Sequence, residues 1–306
     1  MATKKKRMVA KRDQTEMPFA EIVLDCCNQH GEGVLWNAAD ERVWWTDIQG
    51  RSLWWYAPDS GQGEAIPMPD RVCCFAPRRR GGFILGLADR VAFFDVASGS
   101  LETIAMYEPD NPETRLNDGR TDRQGRLVAG GMNEKTGAAD TSVIRVDANG
   151  NTTTLLQGIS CANSICFSPD GETMFFTDTP ERLIRAYDYS GVSGGLGAMR
   201  VHCDVSREPG VPDGSCVDAE GGVWNAEWEG HRVVRIAPDG RIDTVINVPV
   251  WKPTCCAFGG ANLETLFITT SRLGSSDEQL IAEPLSGGLF AVKPGFRGIA
   301  DLPFAG

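Results

Sequence analysis

The sequence predicts an all-β chain: a six-bladed β-propeller with four antiparallel strands in each blade. One unit recurs six times along it, and successive copies lie roughly 40–50 residues apart, near the period of a propeller blade. Composition agrees. Thirty-five glycines and 17 prolines among 306 residues suit many short strands joined by tight turns. No long stretch carries heptads or a clear helical period. Propellers of this length form one domain, and a hydrophobic content of 42% can fill a large core.

The unit is a turn, a β-rich run, a short gap and a second β-rich run. The first copy is the turn Asn37-Ala-Ala-Asp-Glu, then Val43-Trp-Trp-Thr-Asp47, then Ser52-Leu-Trp-Trp-Tyr56. The second runs Pro77-Arg-Arg-Arg-Gly81, Phe83-Ile-Leu-Gly-Leu87 and Val91-Ala-Phe-Phe-Asp95. The third is Asp122-Arg-Gln-Gly125, Leu127-Val-Ala-Gly130 and Ser142-Val-Ile-Arg-Val146. The fourth reads Ser168-Pro-Asp-Gly171, Met174-Phe-Phe-Thr-Asp178 and Leu183-Ile-Arg-Ala-Tyr187. The fifth is Asp218-Ala-Glu-Gly-Gly222, Val223-Trp-Asn-Ala226 and Arg232-Val-Val-Arg-Ile236. The sixth is Gly259-Gly-Ala-Asn262, Leu266-Phe-Ile-Thr-Thr270 and Gly288-Leu-Phe-Ala-Val292. Each pairs turn formers with β-branched and aromatic residues, which favour strands.

An apolar strand such as Ser164-Ile-Cys-Phe167 precedes each turn, and a further strand follows most copies, as in Ser100-Leu-Glu-Thr-Ile104, Thr152-Thr-Thr-Leu-Leu156 and Ile242-Asp-Thr-Val-Ile246. That makes four strands per unit, the number in a blade. Open sheet edges invite aggregation, so the ring must be sealed. The apolar run Glu21-Ile-Val-Leu-Asp25 is expected to pair into the last blade beside residues 296–304. A stacked open solenoid would need polar capping repeats, and the sequence has none. The tryptophans Trp44, Trp45, Trp54 and Trp55 could stack on a sugar, but alternation along blade strands favours packing between blades.

A net charge of −11 argues against nucleic acid as a partner, because neutralising phosphates needs a basic face. Residues 1–18 read as a mobile basic tail carrying Lys4-Lys5-Lys6-Arg7, Lys11 and Arg12, with residues 19–306 as the propeller. No apolar segment of signal-peptide type follows the tail, and no 18-residue apolar span crosses a membrane. Ten cysteines include the adjacent pairs Cys26-Cys27, Cys73-Cys74 and Cys255-Cys256. Adjacent cysteines on a strand face opposite sides, so reduced thiols packed as small core residues, and a cytoplasmic location, are expected. No obligate protein partner is expected.

The residue five positions before each turn carries the chemistry. It is Glu32, Asn117, Asn163 and Asp213 in copies one, three, four and five; in copies two and six it falls near Arg71 and Thr254. This is the entry to the innermost strand, and in a propeller those entries ring the central channel at one end. Two carboxylates and two amides converging there would make a hard-cation site. Taken singly, each could be an ordinary turn residue.

Four segments now point to a family. Gly31-Glu-Gly-Val-Leu-Trp36, Arg115-Leu-Asn-Asp-Gly119 with Asp122-Arg-Gln-Gly-Arg126, Asn163-Ser-Ile-Cys-Phe-Ser-Pro-Asp-Gly171, and Pro212-Asp-Gly214 with Asp218-Ala-Glu-Gly221 resemble the senescence marker protein 30 (regucalcin), gluconolactonase and sugar lactonase family. The resemblance covers the chain from about residue 20 to its end. It implies a six-bladed propeller with one divalent ion, calcium, zinc or manganese, held by Glu32, Asn163 and Asp213. It further implies that Arg115 and Asn117 contact substrate, and that Asp213 doubles as catalytic base. Val34 replaces the proline usual in the first motif, and Ser164 replaces a common glycine. Some relatives carry a substrate-binding glutamate after Gly130-Gly-Met132; Glu134, followed by Lys135, is the candidate here, one position out of register.

The implied activity is metal-dependent hydrolysis of a sugar lactone, such as L-arabinono-, xylono- or gluconolactone, to the aldonic acid. Lactone opening needs carbonyl polarisation, an activated water and a proton for the leaving oxygen. Alternatives are a phosphotriesterase or paraoxonase-like hydrolase, and a non-catalytic calcium-binding propeller. A serine hydrolase is disfavoured: Gly191-Val-Ser-Gly-Gly195 fits G-x-S-x-G, but no helix follows. His30, two residues before Glu32, is expected to be structural, and Asp118 either orients its neighbours or caps its own turn.

Overall fold

The computed structural model describes residues 18–306 and arranges them as six four-stranded antiparallel sheets around one axis. A leading strand, β1 (Glu21–Leu24), precedes the first blade: β2 (Gly31–Asn37), β3 (Arg42–Asp47), β4 (Ser52–Ala57) and β5 (Gln62–Pro67). The second has β6 (Val72–Pro77), β7 (Phe83–Leu87), β8 (Arg90–Phe94) and β9 (Leu101–Met106). The third has β10 (Thr114–Thr121), β11 (Leu127–Asn133), β12 (Thr141–Val146) and β13 (Thr152–Ile159). The fourth has β14 (Ala162–Phe167), β15 (Thr173–Asp178), β16 (Leu183–Tyr189) and β17 (Leu196–Asp204). The fifth has β18 (Val211–Val217), β19 (Val223–Trp228), β20 (Arg232–Ile236) and β21 (Ile242–Asn247). The sixth has β22 (Pro253–Gly259), β23 (Thr265–Thr270) and β24 (Leu289–Val292). The innermost strands β2, β6, β10, β14, β18 and β22 touch one another around the hub.

The repeated turn residues act through their side chains. Asp122 Oδ1 accepts from the backbone N–H of Gln124 and Arg126, both at 2.9 Å. Asp218 Oδ1 does the same for Glu220 and Gly222, also at 2.9 Å. Gly125 and Gly221 finish these turns at φ of 82° and 84°, a region that glycine enters without steric cost. At the other end of the blade, the Thr-Asp pairs closing β3 and β15 cap the entry to the innermost strand. Asp47 accepts from the N–H of Gln29 and His30 at 2.9 Å, and Asp178 from Ser160 at 3.0 Å and Cys161 at 2.9 Å.

Apolar cores fill the seams between neighbouring blades. Trp44 and Trp55 pack with Phe75 and Phe83 of the second blade, whereas Trp45 and Trp54 pack with Ala257 and Phe267 of the sixth. Successive side chains on a strand point to opposite faces, so this run serves two seams at once. Its role is packing between blades; the Trp45 and Trp54 rings stack with centroids 5.8 Å apart. Burying a side chain of this size contributes roughly 1.5–3 kcal/mol. All ten cysteines are free, seven of them buried.

The ring closes as expected in its strand and not in its partner. β1 pairs antiparallel with β24, placing Glu21 opposite Ala291 and Ile22 opposite Phe290. Residues 296–304 do not flank β1. They cross the end of the hub where the innermost strands finish, and their backbone serves the turns there. Phe304 N donates to Pro77 O at 2.7 Å, Ala305 N to Gly125 O at 2.8 Å, and Ala219 N to Arg297 O at 2.8 Å. Asp301 pairs with Arg120. Peptide groups at these turn ends need partners, and the segment supplies them as a plug. The basic cluster from Lys4 to Arg12 lies outside the described residues, whose first member, Pro18, accepts from Asn247 N at 3.0 Å.

Candidate active site

All six innermost strands lose register with their neighbours at the same height. The breaks fall between Glu32 and Leu35, Val72 and Cys74, Leu116 and Asp118, Asn163 and Cys166, Pro212 and Ser215, and Pro253 and Cys255. A bulge bends a strand and re-aims its side chains. Repeated around a hub, it brings Glu32, Asn117, Asn163 and Asp213 of the first, third, fourth and fifth blades to one cleft. Gly33 and Ser164 sit within these bulges at φ of 59° and 60°. In the second blade the bulge takes in Cys73 and excludes Arg71. In the sixth, Thr254 Oγ1 is committed to Gly31 O and Thr269 Oγ1.

Glu32, Arg115, Asn117, Asn163 and Asp213 line one cleft of about 290 Å³. Asn163 and Asp213 are buried, and Glu32 keeps some surface open to the cleft. Asn163 Nδ2 donates to Thr179 Oγ1 at 2.8 Å, which turns its Oδ1 to the cleft side. That oxygen accepts from Asn117 Nδ2 at 3.2 Å and retains a second lone pair. Asn117 Oδ1 in turn accepts from Arg115 Nη1 at 2.8 Å. Glu134 is not on the cleft wall. It stands behind Arg115, accepting from Arg115 Nε at 3.0 Å and from both terminal nitrogens of Arg71 at 2.7 and 2.9 Å.

Charge is concentrated at the hub. Burial first, then the charge of Asp118, raises Glu32 above the ordinary carboxylate range. Burial, then Glu32 and Asp118, raises Asp213 well above it. Neither Glu32 nor Asp213 has an ion-pair partner among the described residues. Asp118 acts as a cap: its Oδ1 accepts from Gly119 N and its Oδ2 from Ile165 N of the next blade, each at 2.8 Å. His30 Nδ1 lies 3.0 Å from Ser271 Oγ, and its ring meets Trp228 edge-on at 5.5 Å. Burial, then Arg115 and Lys252, pushes His30 down to about 3. That direction favours the neutral ring where His30 lines the cleft.

Met132, Cys161, Thr179, Val211, Trp228 and Leu273 complete the cleft. None stands at the repeated register position, so the repeat alone did not find them. Thr179 and Trp228 share another signal: Thr179 follows β15 directly and Trp228 ends β19, so both lie where second strands reach the mouth. Ser193 of the G-x-S-x-G match belongs to an outer loop between β16 and β17. Its carbonyl accepts from Arg145 Nη1 at 2.6 Å, and it does not line the cleft.

The donor set suits a divalent cation. Two carboxylates and an amide oxygen are hard ligands, and the two carboxylates repel each other without one. Among the described residues no three His, Cys, Asp or Glu side chains cluster as a metal site; the amide of Asn163 stands with the two carboxylates on the cleft wall.

A family model described as SMP-30/Gluconolactonase/LRE-like region matches residues 30–272. The chain is 39% identical over 293 residues to an L-arabinolactonase of Azospirillum brasilense, covering 94% of this chain and 96% of that one. It is 34% identical to a 6-deoxy-6-sulfogluconolactonase of Pseudomonas putida, covering 90% and 95%. A solved structure of a calcium-binding protein, regucalcin, from Agrobacterium tumefaciens superposes with a TM-score of 0.90 at 31% identity, covering 94% of this chain and 98% of that one.

Proposed function

The chain belongs to the SMP-30/gluconolactonase/LRE-like family, and from that premise we propose that it hydrolyses an aldonolactone with one divalent cation held by Glu32, Asn163 and Asp213. Sugar lactone hydrolysis is the activity named for its lactonase relatives. L-Arabinono-, xylono- and gluconolactone are the substrates to expect, and a cleft of about 290 Å³ suits a single sugar ring. The observation that carries the reading is the pair Glu32 and Asp213, set on one cleft by separate blades and raised by burial and by neighbouring carboxylates, with Arg115 offsetting only part of that rise.

A divalent cation, held by Glu32, Asn163 and Asp213, would supply positive charge for polarising the lactone carbonyl. The residues of the chain do the rest. Asp213 takes a proton from a water whose oxygen bonds to the carbonyl carbon. The ring C–O bond then breaks, and the same proton passes to the departing ring oxygen, leaving a carboxylic acid and a free hydroxyl. Arg115, fixed by Glu134, Leu116 O and Asn117, presents a rigid donor face to the ring hydroxyls. Asn117 and Thr179 hold the amide of Asn163 with its oxygen forward. Trp228 and Leu273 offer apolar surface to the carbon skeleton.

Free cysteines support a reducing, cytoplasmic compartment. Among the described residues no helix is long and apolar enough to cross a membrane.

The reading is tested on chelator-stripped protein reloaded separately with calcium, zinc and manganese. Acid release from a panel of pentono- and hexonolactones is followed in a pH-stat. Turnover should vanish on stripping and return with metal. Full activity in the stripped protein would refute the scheme.

A further inference from the structure

Ser164 occupies an unusual place. It lies in the bulge of β14, fully buried, at φ 60°, a conformation that costs an ordinary L-residue energy and glycine none. A serine in that conformation calls for a compensating contact, and the structure supplies one. Ser164 Oγ donates to the backbone carbonyl of Asp213 at 2.6 Å, across the seam between the fourth and fifth blades.

That carbonyl is held from a second side. Asn225, fully buried in β19, directs Nδ2 at Asp213 O at 3.0 Å, at Ser164 Oγ at 3.0 Å and at Ser215 Oγ at 2.9 Å. The carbonyl can only accept, so the amide must present its nitrogen here. Its own Oδ1 is left without a hydrogen-bond partner among the described residues. A residue at the bulge has lost its ladder partner, and these two side chains replace it.

We propose that Ser164 is a positioning residue that, with Asn225, clamps the Asp213 peptide and so fixes the Asp213 carboxylate for metal binding and proton transfer. The clamp rests on the reading of Asp213 given above. It explains why a strained serine stands where glycine would be at ease. It also couples the Asn163 and Asp213 bulges, because Ser164 directly follows Asn163.

The test uses Ser164→Gly and Ser164→Ala in the full chain. Glycine relieves the backbone and removes the hydroxyl; alanine keeps the Cβ and removes only the hydroxyl. Binding of Mn²⁺ alone to stripped protein is measured by calorimetry, beside melting temperature and lactone turnover. Contacts that orient ligands are typically worth about 10- to 100-fold in affinity, and both variants should weaken Mn²⁺ binding on that scale. Stripped Ser164→Gly should melt no lower than the parent. Parent-like Mn²⁺ affinity and kcat/KM in both variants would overturn the clamp while leaving the lactonase reading intact. Weakening in glycine but not alanine would also overturn it, because backbone freedom would then be the cause. A parent that neither binds Mn²⁺ nor opens lactones would remove both.

Discussion

Asn163 and Thr179 form a short chain with a direction: Asn163 Nδ2 donates to Thr179 Oγ1 at 2.8 Å, and Thr179 Oγ1 donates to Pro212 O at 3.0 Å. The threonine hydroxyl has one hydrogen and spends it on Pro212, so it can only accept from Asn163. The Asn163 amide is thereby barred from flipping, and its oxygen stays on the cleft side. Thr179→Val keeps shape and removes this constraint. Divalent-metal affinity should fall about tenfold, with a stability loss of about 1 kcal/mol for the contacts removed. Calorimetric titration and thermal melts check both; unchanged affinity would show that Thr179 does not set the amide.

Asp213→Asn tests charge against shape. The variant keeps the volume but loses one of the two repelling carboxylates. Turnover should drop by about 10²- to 10⁴-fold, the usual share of a positioned proton acceptor. Metal-free protein should at the same time become more stable, because Glu32 loses a like charge. Rates from a pH-stat and melting temperatures of stripped samples give the two readouts. A destabilised variant would mean that the carboxylate is held by contacts other than those described.

Stripped protein should lose stability as pH rises. The ordinary Glu32 value near 4.5 is pushed up to about 8 in the fold, and Asp213 moves the same way. Between those limits the folded state binds more protons than the unfolded chain, so unfolding free energy falls with increasing pH. The decline should span about pH 4.5 to 8 and flatten when a divalent cation is added. Melting curves of stripped and loaded protein across that range decide it. A flat profile in stripped protein would contradict strong burial of the pair.

The fold and the hub were readable for one reason: both follow from a repeat. Glu32, Asn117, Asn163 and Asp213 share a register, and a closed ring carries a register into a place. Arg71 missed because the second turn is centred on Arg78, the counterpart of Asp218 in its bridge to the C-terminal segment, and five positions before it is Cys73. Glu134 stands behind Arg115, and its carboxylate is taken up by Arg115 and Arg71, a pairing between separate blades that its own neighbours in sequence do not encode. The partners of residues 296–304 are turn ends spread over several blades, which no local pattern encodes. Trp228 reaches the cleft from the end of a second strand, a place marked by the blade pattern and not by the register of the hub, whereas Leu273 comes from a loop with no repeat to mark it.

Leu273 sets the upper wall of the cleft and gives the last test. It lies in the loop after β23, 38% exposed, and Lys252 Nζ holds its carbonyl at 2.6 Å. The lysine also sits over the rings of Trp228 and Trp251 at 5.1 and 4.5 Å, so the wall is braced from behind. Leu273→Ala removes apolar surface without touching Glu32, Asn163 or Asp213. An apolar contact of this size is worth roughly 1–3 kcal/mol in discrimination. Such a contact binds ground and transition states alike, so KM should rise several-fold with kcat nearly constant. The space opened should favour hexono- over pentonolactones relative to the parent. Steady-state kinetics on one lactone of each size checks this. A fall in kcat at unchanged KM would place Leu273 in the chemical step and not on the wall.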